Sequence, residues 1–355
     1  MKKSKRVKKV FSLLRLTIFL LVISGIIFWG ATRAKGLIVE RFFTTQQGII
    51  RVISIDDKND LPIKGAEFNI INTESGEVIE VLVTGVDGTA TSSLLDYGIY
   101  ELNQIRVPFP YVLGSAPDSI VSVELNEENY EVTTSNSLLD HIKDIERSEN
   151  GDIAIKEVFI TVPVVMQNPE LPNGCEITSL TSVLNYYGYN VSKTVMSDSY
   201  LRKQEFERRD GKLFGANPYI AFSGNPRSAR SGFYVYAPPI VEAADNYLRD
   251  AGGNHKTKDI SGSIEEKIFE YVNNGIPVVI WTSIDQKPIR FDFSWNLFES
   301  GEKFDAALNL HAVVLNGYSG DMVHVMDPLK GYTSYKSNIF FDVHYSLDGQ
   351  AMIVY

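Results

Sequence analysis

Residues 171–189, LPNGCEITSLTSVLNYYGY, constrain the fold more than any other stretch, because they set the chain's only cysteine where a turn gives way to a helix. Pro172, Asn173 and Gly174 follow Leu171 as turn and breaker residues, while Ile177, Leu180, Val183, Leu184 and Tyr187 recur at helical spacing. The pattern predicts that Cys175 occupies the first turn. There the unpaired backbone N–H groups and the positive end of the helix dipole favour an anion and draw a thiol toward the reactive thiolate. The competing reading is a buried, inert cysteine that serves as a small hydrophobe.

One cysteine in 355 residues excludes an intramolecular disulfide, so the chain works in a reducing compartment or is exported without covalent staples. The N-terminus favours export. Lys2, Lys3, Lys5, Arg6, Lys8, Lys9 and Arg15 precede a stretch free of charged side chains, residues 16–32, at the lower end of the roughly 17–25 residues needed to span a bilayer. Only Arg33 and Lys35 follow closely, which predicts a single-pass cell-membrane protein with the N-terminus inside and the C-terminal domains outside. No clean small-x-small cleavage site precedes Arg33, favouring an uncleaved signal anchor over a cleaved signal peptide. The division is therefore a basic cytoplasmic segment (1–15), a transmembrane helix (16–32) and a juxtamembrane linker (33–46). A net charge of -10 argues against a nucleic-acid partner, since the strong basic cluster is confined to the N-terminus.

From residue 47 to 132 the sequence becomes strand-like. Residues 49–55, 66–71, 78–83 and 99–102 are short β-rich runs separated by turn signals, among them DDKNDLPIKG, Gly85 to Gly88 and Asp96 to Gly98. This spacing reads as a small all-β sandwich. Asp56, Leu61-Pro62, Gly65-Ala66-Glu67-Phe68, Thr84, Asp87-Gly88, Leu94, Tyr97-Gly98-Ile99-Tyr100 and Pro108 before Tyr111 resemble the prealbumin-like Cna-B or SpaA repeat of Gram-positive surface proteins. Members of that family often close an internal isopeptide bond from a lysine on the first strand, helped by a glutamate after the Tyr-Gly turn. The matching positions here hold Ser54 and Gln104, so no crosslink is expected, and the preferred reading is a stalk, with a ligand-binding adhesin as the alternative.

Residues 133–155 are polar, with a few apolar positions at helical spacing, and read as a linker in which His141 is solvated. The last domain, 156–355, opens on a strand-like run at 158–165. Helices are expected at 239–251 and 264–274, and strands at 277–281, 312–316, 322–326 and at the C-terminus. Helices first and strands later predict an α+β domain with the cysteine helix against a sheet.

A thiol nucleophile needs a base, a group that orients the base, and donors for an oxyanion. His311 opens the strand HAVVLNGY and Asp327 ends DMVHVMDP, so a hairpin at Gly317 to Gly320 would bring both to one end of the sheet. Gln167, shortly before Cys175, supplies an amide for the oxyanion beside the Cys175 N–H. Glu176 is assignable only as a helix-start residue or a polar group of the pocket. His324 is expected on the face opposite Val323 and Val325, and His255 and His344 at the surface. Trp281 and Trp295 are groove candidates, but aromatic residues at such positions more often pack in a core. The histidine spacing and the lone cysteine predict no metal site and no cofactor.

The ordered set PVVMQNPELPNGCEITSLTSVLNYYGY, GANPYIAFSGNP, GIPVVIWT, HAVVLNGYSGDMVHVMDPLKG and Phe340-Phe341 resembles the C39-like, papain-like cysteine peptidases related to those that remove double-glycine leaders from bacteriocins. The resemblance implies a papain-like fold with Cys175 as nucleophile, His311 as base, Asp327 as orienter and Gln167 in the oxyanion hole. Transporter and ATPase portions, which accompany the leader peptidases, have no counterpart in these motifs. The expectation is a membrane-anchored extracellular thiol hydrolase acting on an amide bond of a peptide or protein, with contact to the cell wall open. The alternative is a non-catalytic adhesin or scaffold whose papain-like domain only binds a peptide or wall component.

Overall fold

The structure, a computed structural model, describes residues 21–26, 29, 46–114 and 119–355. The anchor expected at 16–32 lies largely outside them; among the described residues no helix is long and apolar enough to cross a membrane. The chain divides into two compact units, one running to Pro108 with Leu113–Asn136, the other formed by Phe109–Val112 and Ser137–Tyr355.

The first unit is a sandwich of two four-stranded sheets. Gln47–Asp56 pairs with Thr89–Thr91, Leu95–Asp96 and, in parallel, Asn129–Asn136. The other sheet runs Val78–Val83, Glu67–Asn72, Gly98–Arg106, Ile120–Leu125. Strict alternation along Gln47–Asp56 turns Ile50, Val52, Ser54 and Asp56 inward, as a half-buried strand requires. Opposite them Phe68, Ile70, Tyr100, Leu102, Val123 and Leu125 fill the core. Ser54 and Gln104 are both buried, and the third member of their group is Asn136. The Gln104 amide donates to Asn136 Oδ1 at 3.0 Å, Asn136 Nδ2 returns a bond to Gln104 Oε1 at 3.1 Å, and Ser54 Oγ lies 3.5 Å from Asn136 Oδ1. A neutral hydrogen-bonded trio therefore occupies the interior.

The second unit is built on an eight-stranded antiparallel sheet. Its main path runs Thr257–Asp259, Ala351–Val354, Val278–Ser283, Leu310–Ser319, Ile153–Phe159, Ile142–Arg147. Met322–Asp327 folds back on Leu310–Ser319 and Gly331–Lys336 continues from it, forming the expected hairpin. Gly317 lies at a bulge in that hairpin, where an added Cβ would stand 2.0 Å from the Val158 carbonyl oxygen, so only glycine lets the neighbouring strand approach. Leu310–Ser319 is buried through its first eight residues, and the helix Cys175–Tyr186 packs against it, buried from Cys175 to Leu184. A helix enclosed on all sides is a core element rather than an amphipathic surface one. Ser179 Oγ donates to the Ala312 carbonyl at 3.1 Å and fixes the helix on the strand. Ala237–Asp250, Glu265–Asn273 and Ser337–Tyr345 are the other main helices of this unit.

Several expectations are corrected here. The segment 133–155 is not a linker with helical character: Asn129–Asn136 completes the first unit, and Ile142–Arg147 is an edge strand of the second. Its sequence IKDIER places Ile142 and Ile145 inward and charges outward, a common protection of an edge. His141 is half-buried, its Nε2 2.8 Å from the Asn273 carbonyl. The strand expected at 158–165 ends at Phe159. His255 lies under the aromatic cluster of Tyr187 and Tyr189, with Nδ1 2.7 Å from the Tyr189 hydroxyl. His344 is fully buried, its Nδ1 3.0 Å from the Trp281 carbonyl, because the helix that carries it lies directly on the Val278–Ser283 strand. Trp281 and Trp295 agree with the reading as core residues rather than groove walls, each donating its indole N–H to a backbone carbonyl.

Candidate active site

Gly174 precedes the helix without a side-chain cap, and its N–H closes a turn onto the Leu171 carbonyl at 3.0 Å. An added Cβ there would sit 2.8 Å from Leu171 Cβ, so the tight approach that starts the helix at Cys175 is reserved for glycine. Cys175 lies at the helix start, 8% exposed as a residue, with its sulfur against the backbone of Ala312, the residue after His311.

His311 is 2% exposed and pairs with Thr282 across the sheet. Its Nε2 stands 2.8 Å from Asp327 Oδ1, and Asp327 is completely buried. A carboxylate can only accept, so Nε2 donates, and in the neutral imidazole Nδ1 is the nitrogen with the lone pair. Asp327 is itself held on several sides. The Leu329 N–H donates to Oδ1 at 2.8 Å, the Tyr335 hydroxyl lies 3.5 Å from Oδ2, and Lys330 Nζ lies 3.7 Å away. Burial pushes this carboxyl up, but His311, the Leu329 N–H and the Lys330 charge together outweigh it and hold it below the usual range.

Gln167 is 3% exposed and tied to the same end of the sheet, its N–H donating to the Pro328 carbonyl at 2.8 Å. One side-chain N–H donates to the Pro172 carbonyl at 2.7 Å, and Oε1 is buried without a partner. An amide has two N–H groups, which leaves the second to meet an incoming oxygen. Lys193 clamps this loop: its ammonium donates to the carbonyls of Met166, Gln167 and Asn168 and pairs with Glu170.

The thiol departs from expectation. Its hydrogen-bond partner is Glu176 Oε2, 3.4 Å from Sγ, and no hydrogen bond joins the sulfur to the imidazole. Burial, then the neighbouring Glu176 charge, and further the charge of Asp327, push the thiol well above its ordinary range, outweighing the Ala312 backbone contact that opposes them. The expected bias toward thiolate is thus reversed in this state. Glu176 is 1% exposed; Oε1 accepts from the Val235 N–H at 3.1 Å, and burial raises the carboxyl to about 7. Val235 in turn accepts the Trp281 indole N–H at 2.8 Å. Periodicity cannot reveal such a group; the signal is a carboxylate next to the lone cysteine on a helix whose every face is apolar or small.

Among the described residues no group of three or more His, Cys, Asp and Glu side chains is arranged to hold a metal ion. His324 points away from Val323 and Val325, with Nδ1 2.7 Å from Ser334 Oγ. It takes no part in the constellation.

Residues 48–138 match the prealbumin-like fold domain. "Uncharacterized protein YvpB" of Bacillus subtilis (strain 168) is 25% identical over 222 residues, covering 61% of this chain and 84% of that protein. A solved structure assigned as a C39-like peptidase of Bacillus anthracis is similar at 31% identity and a TM-score of 0.50, covering 56% of this chain and 98% of that one. The family model for C39-like peptidases matches residues 159–352, which take in the cysteine helix, the hairpin and the Gln167 loop together, so the chain belongs to the Peptidase_C39 like family.

Proposed function

We propose that the chain is a cysteine peptidase that cleaves an amide bond in a peptide or protein, with Cys175 as nucleophile, His311 as base, Asp327 as orienter and Gln167 as oxyanion donor. The observation that carries this reading is the buried His311–Asp327 pair, which occupies Nε2 and leaves Nδ1 to act as the base at the end of the sheet where Ala312 touches the sulfur. In the first step the Sγ–H proton passes to Nδ1 as sulfur attacks the carbonyl carbon, and the carbonyl π electrons move to oxygen. The Cys175 N–H and the second N–H of the Gln167 amide receive that oxyanion. Collapse expels the amine, which takes the proton from the imidazolium; water then enters by the same base and releases the acid. An amine acceptor in place of water would make the product a new amide.

The N-terminal charge pattern supports an anchor that holds the catalytic unit outside the membrane, with the prealbumin-like unit as a spacer at the surface of a Gram-positive cell and within reach of the wall. A second reading, a papain-like module that binds peptide or wall material without cleaving it, is favoured by the neutral thiol held on Glu176. Digestion of a mixed-sequence peptide library separates the two. New termini made by the full-length chain and absent with Cys175→Ala support the peptidase; identical product sets from both proteins support the binding module.

A further inference from the structure

The Cys175–Glu176 contact is the one feature of the site that the acylation chemistry leaves unused. The two groups are neighbours in sequence and both buried, their side chains meet at 3.4 Å, and the far oxygen of the carboxyl is pinned by the Val235 N–H. Pinning matters because it decides what the near oxygen does. With Oε1 fixed as acceptor, an added proton resides on Oε2, the atom that faces the sulfur. The ionised carboxyl then accepts from the thiol, whereas the neutral carboxyl donates to sulfur.

We propose that Glu176 is a proton-operated latch on the nucleophile. As a carboxylate it holds the S–H bond and its charge opposes a thiolate; as an acid it reverses the hydrogen bond, stabilises the thiolate and frees the thiol proton for His311. Glu176 is in this account a positioning residue, and the inference rests on the reading of Cys175 and His311 as nucleophile and base. The step balances with one proton taken from solvent by Oε2 and one moved from Sγ to Nδ1, with no change in oxidation state.

The surroundings favour such a switch. The titratable groups that act on the pair are Tyr234 beside Glu176, from the segment that also carries Val235, and Asp327, whose charge reaches Cys175 and which is bonded to His311. Tyr234 is itself raised by burial and remains neutral, and no cation is among the groups that set the Glu176 charge. Burial outweighs the hydrogen bonds from the Glu176 and Val235 N–H groups and from the thiol, which favour the ionised form, and the rise to about 7 places the change near neutrality.

The test is the pH dependence of Cys175 alkylation by iodoacetamide, from pH 5.5 to 8.5, in the full-length chain, Glu176→Gln and His311→Ala. An ordinary thiol alkylates faster as pH rises. The latch predicts the reverse in the unaltered chain, a fall through about pH 7. Glutamine keeps an acceptor for Val235 and presents a permanent N–H donor to sulfur, so Glu176→Gln should lose the inflection. At pH 8 it should react about tenfold faster than the unaltered chain, in which about nine-tenths of Glu176 is then ionised, and the two should converge by pH 6. Parallel profiles for Glu176→Gln and the unaltered chain would overturn the latch. So would an ordinary rise with pH in the unaltered chain, which needs no variant to fold. Rates in His311→Ala equal to those of the unaltered chain at pH 6 would instead remove the nucleophile–base reading, so the two failures are separable.

Discussion

Glu176 and His344 make opposite demands on the folded state as pH changes, and the structure gives the size of both. His344 is enclosed with Nδ1 on the Trp281 carbonyl and Nε2 without a partner, and burial lowers it from 6.5 to about 4. Between those values the unfolded chain binds a proton that the folded chain does not, so stability is lost as pH falls from 6.5 toward 4. Glu176 is raised from 4.5 to about 7, so the folded chain binds the extra proton and stability is lost as pH rises through that window. Each separation is about 2.5 pH units, which at about 1.4 kcal/mol per unit makes about 3 kcal/mol per group. Between about pH 4.5 and 6.5 the two effects oppose and nearly cancel. Single variants should expose them. Relative to the unaltered chain at the same pH, Glu176→Gln should gain about 3 kcal/mol between pH 4.5 and 7. His344→Asn, which retains a donor for the Trp281 carbonyl, should gain a similar amount between pH 6.5 and 4 on top of a fixed packing loss. Urea unfolding at half-unit pH steps, followed by tryptophan fluorescence from the buried Trp281 and Trp295, reads both. Stability differences that stay constant across pH, or that run in the opposite direction, would refute the reasoning.

Asp327→Asn should keep its oxygen toward the Leu329 and His311 N–H groups, since a flipped amide would oppose donor to donor. The cost is then a charge-assisted bond exchanged for a neutral one, ~1–2 kcal/mol, or about tenfold in acylation rate, and a far larger loss would show that the amide does flip. Lys193→Met removes the donor shared by the carbonyls of Met166, Gln167 and Asn168 and should lower the acylation rate several-fold while leaving the fold intact by circular dichroism; an unchanged rate would dissociate that loop from the oxyanion site. In the first unit, Gln104→Ala removes both bonds of the buried reciprocal pair with Asn136 and should cost about 2–4 kcal/mol in urea unfolding, with a loss under 1 kcal/mol counting against the reciprocal bond. The intact mass of the unaltered chain should equal that of the uncrosslinked sequence.

What could be read from the sequence was whatever is written in local pattern. The helix at Cys175, the His311–Asp327 hairpin and the alternating strand Gln47–Asp56 each carry periodicity bounded by turn residues. Ile142–Arg147 escaped because an edge strand buries little and shows its charges, so its composition matches that of a linker. Asn136 was hidden for the same reason: it closes a buried trio with Ser54 and Gln104 from a segment whose neighbours are polar. The burial of His344 depends on how the Ser337–Tyr345 helix lies on Val278–Ser283, a tertiary fact with no local signature. The sequence shows the helix terminus at Cys175, which favours a thiolate, but not the desolvation and the Glu176 charge that push the thiol the other way.

The central claim is that Cys175 attacks acyl groups with His311 as its base, and a small activated ester tests it without knowledge of the natural substrate. The full-length chain, Cys175→Ala and His311→Ala would be mixed with p-nitrophenyl acetate at pH 6, the nitrophenolate burst followed, and the acetylated residue mapped by mass spectrometry. The account predicts a burst with acetyl on Cys175, lost in Cys175→Ala and slowed by about 10²-fold or more in His311→Ala. Acetylation elsewhere, or a burst indifferent to His311, would contradict it.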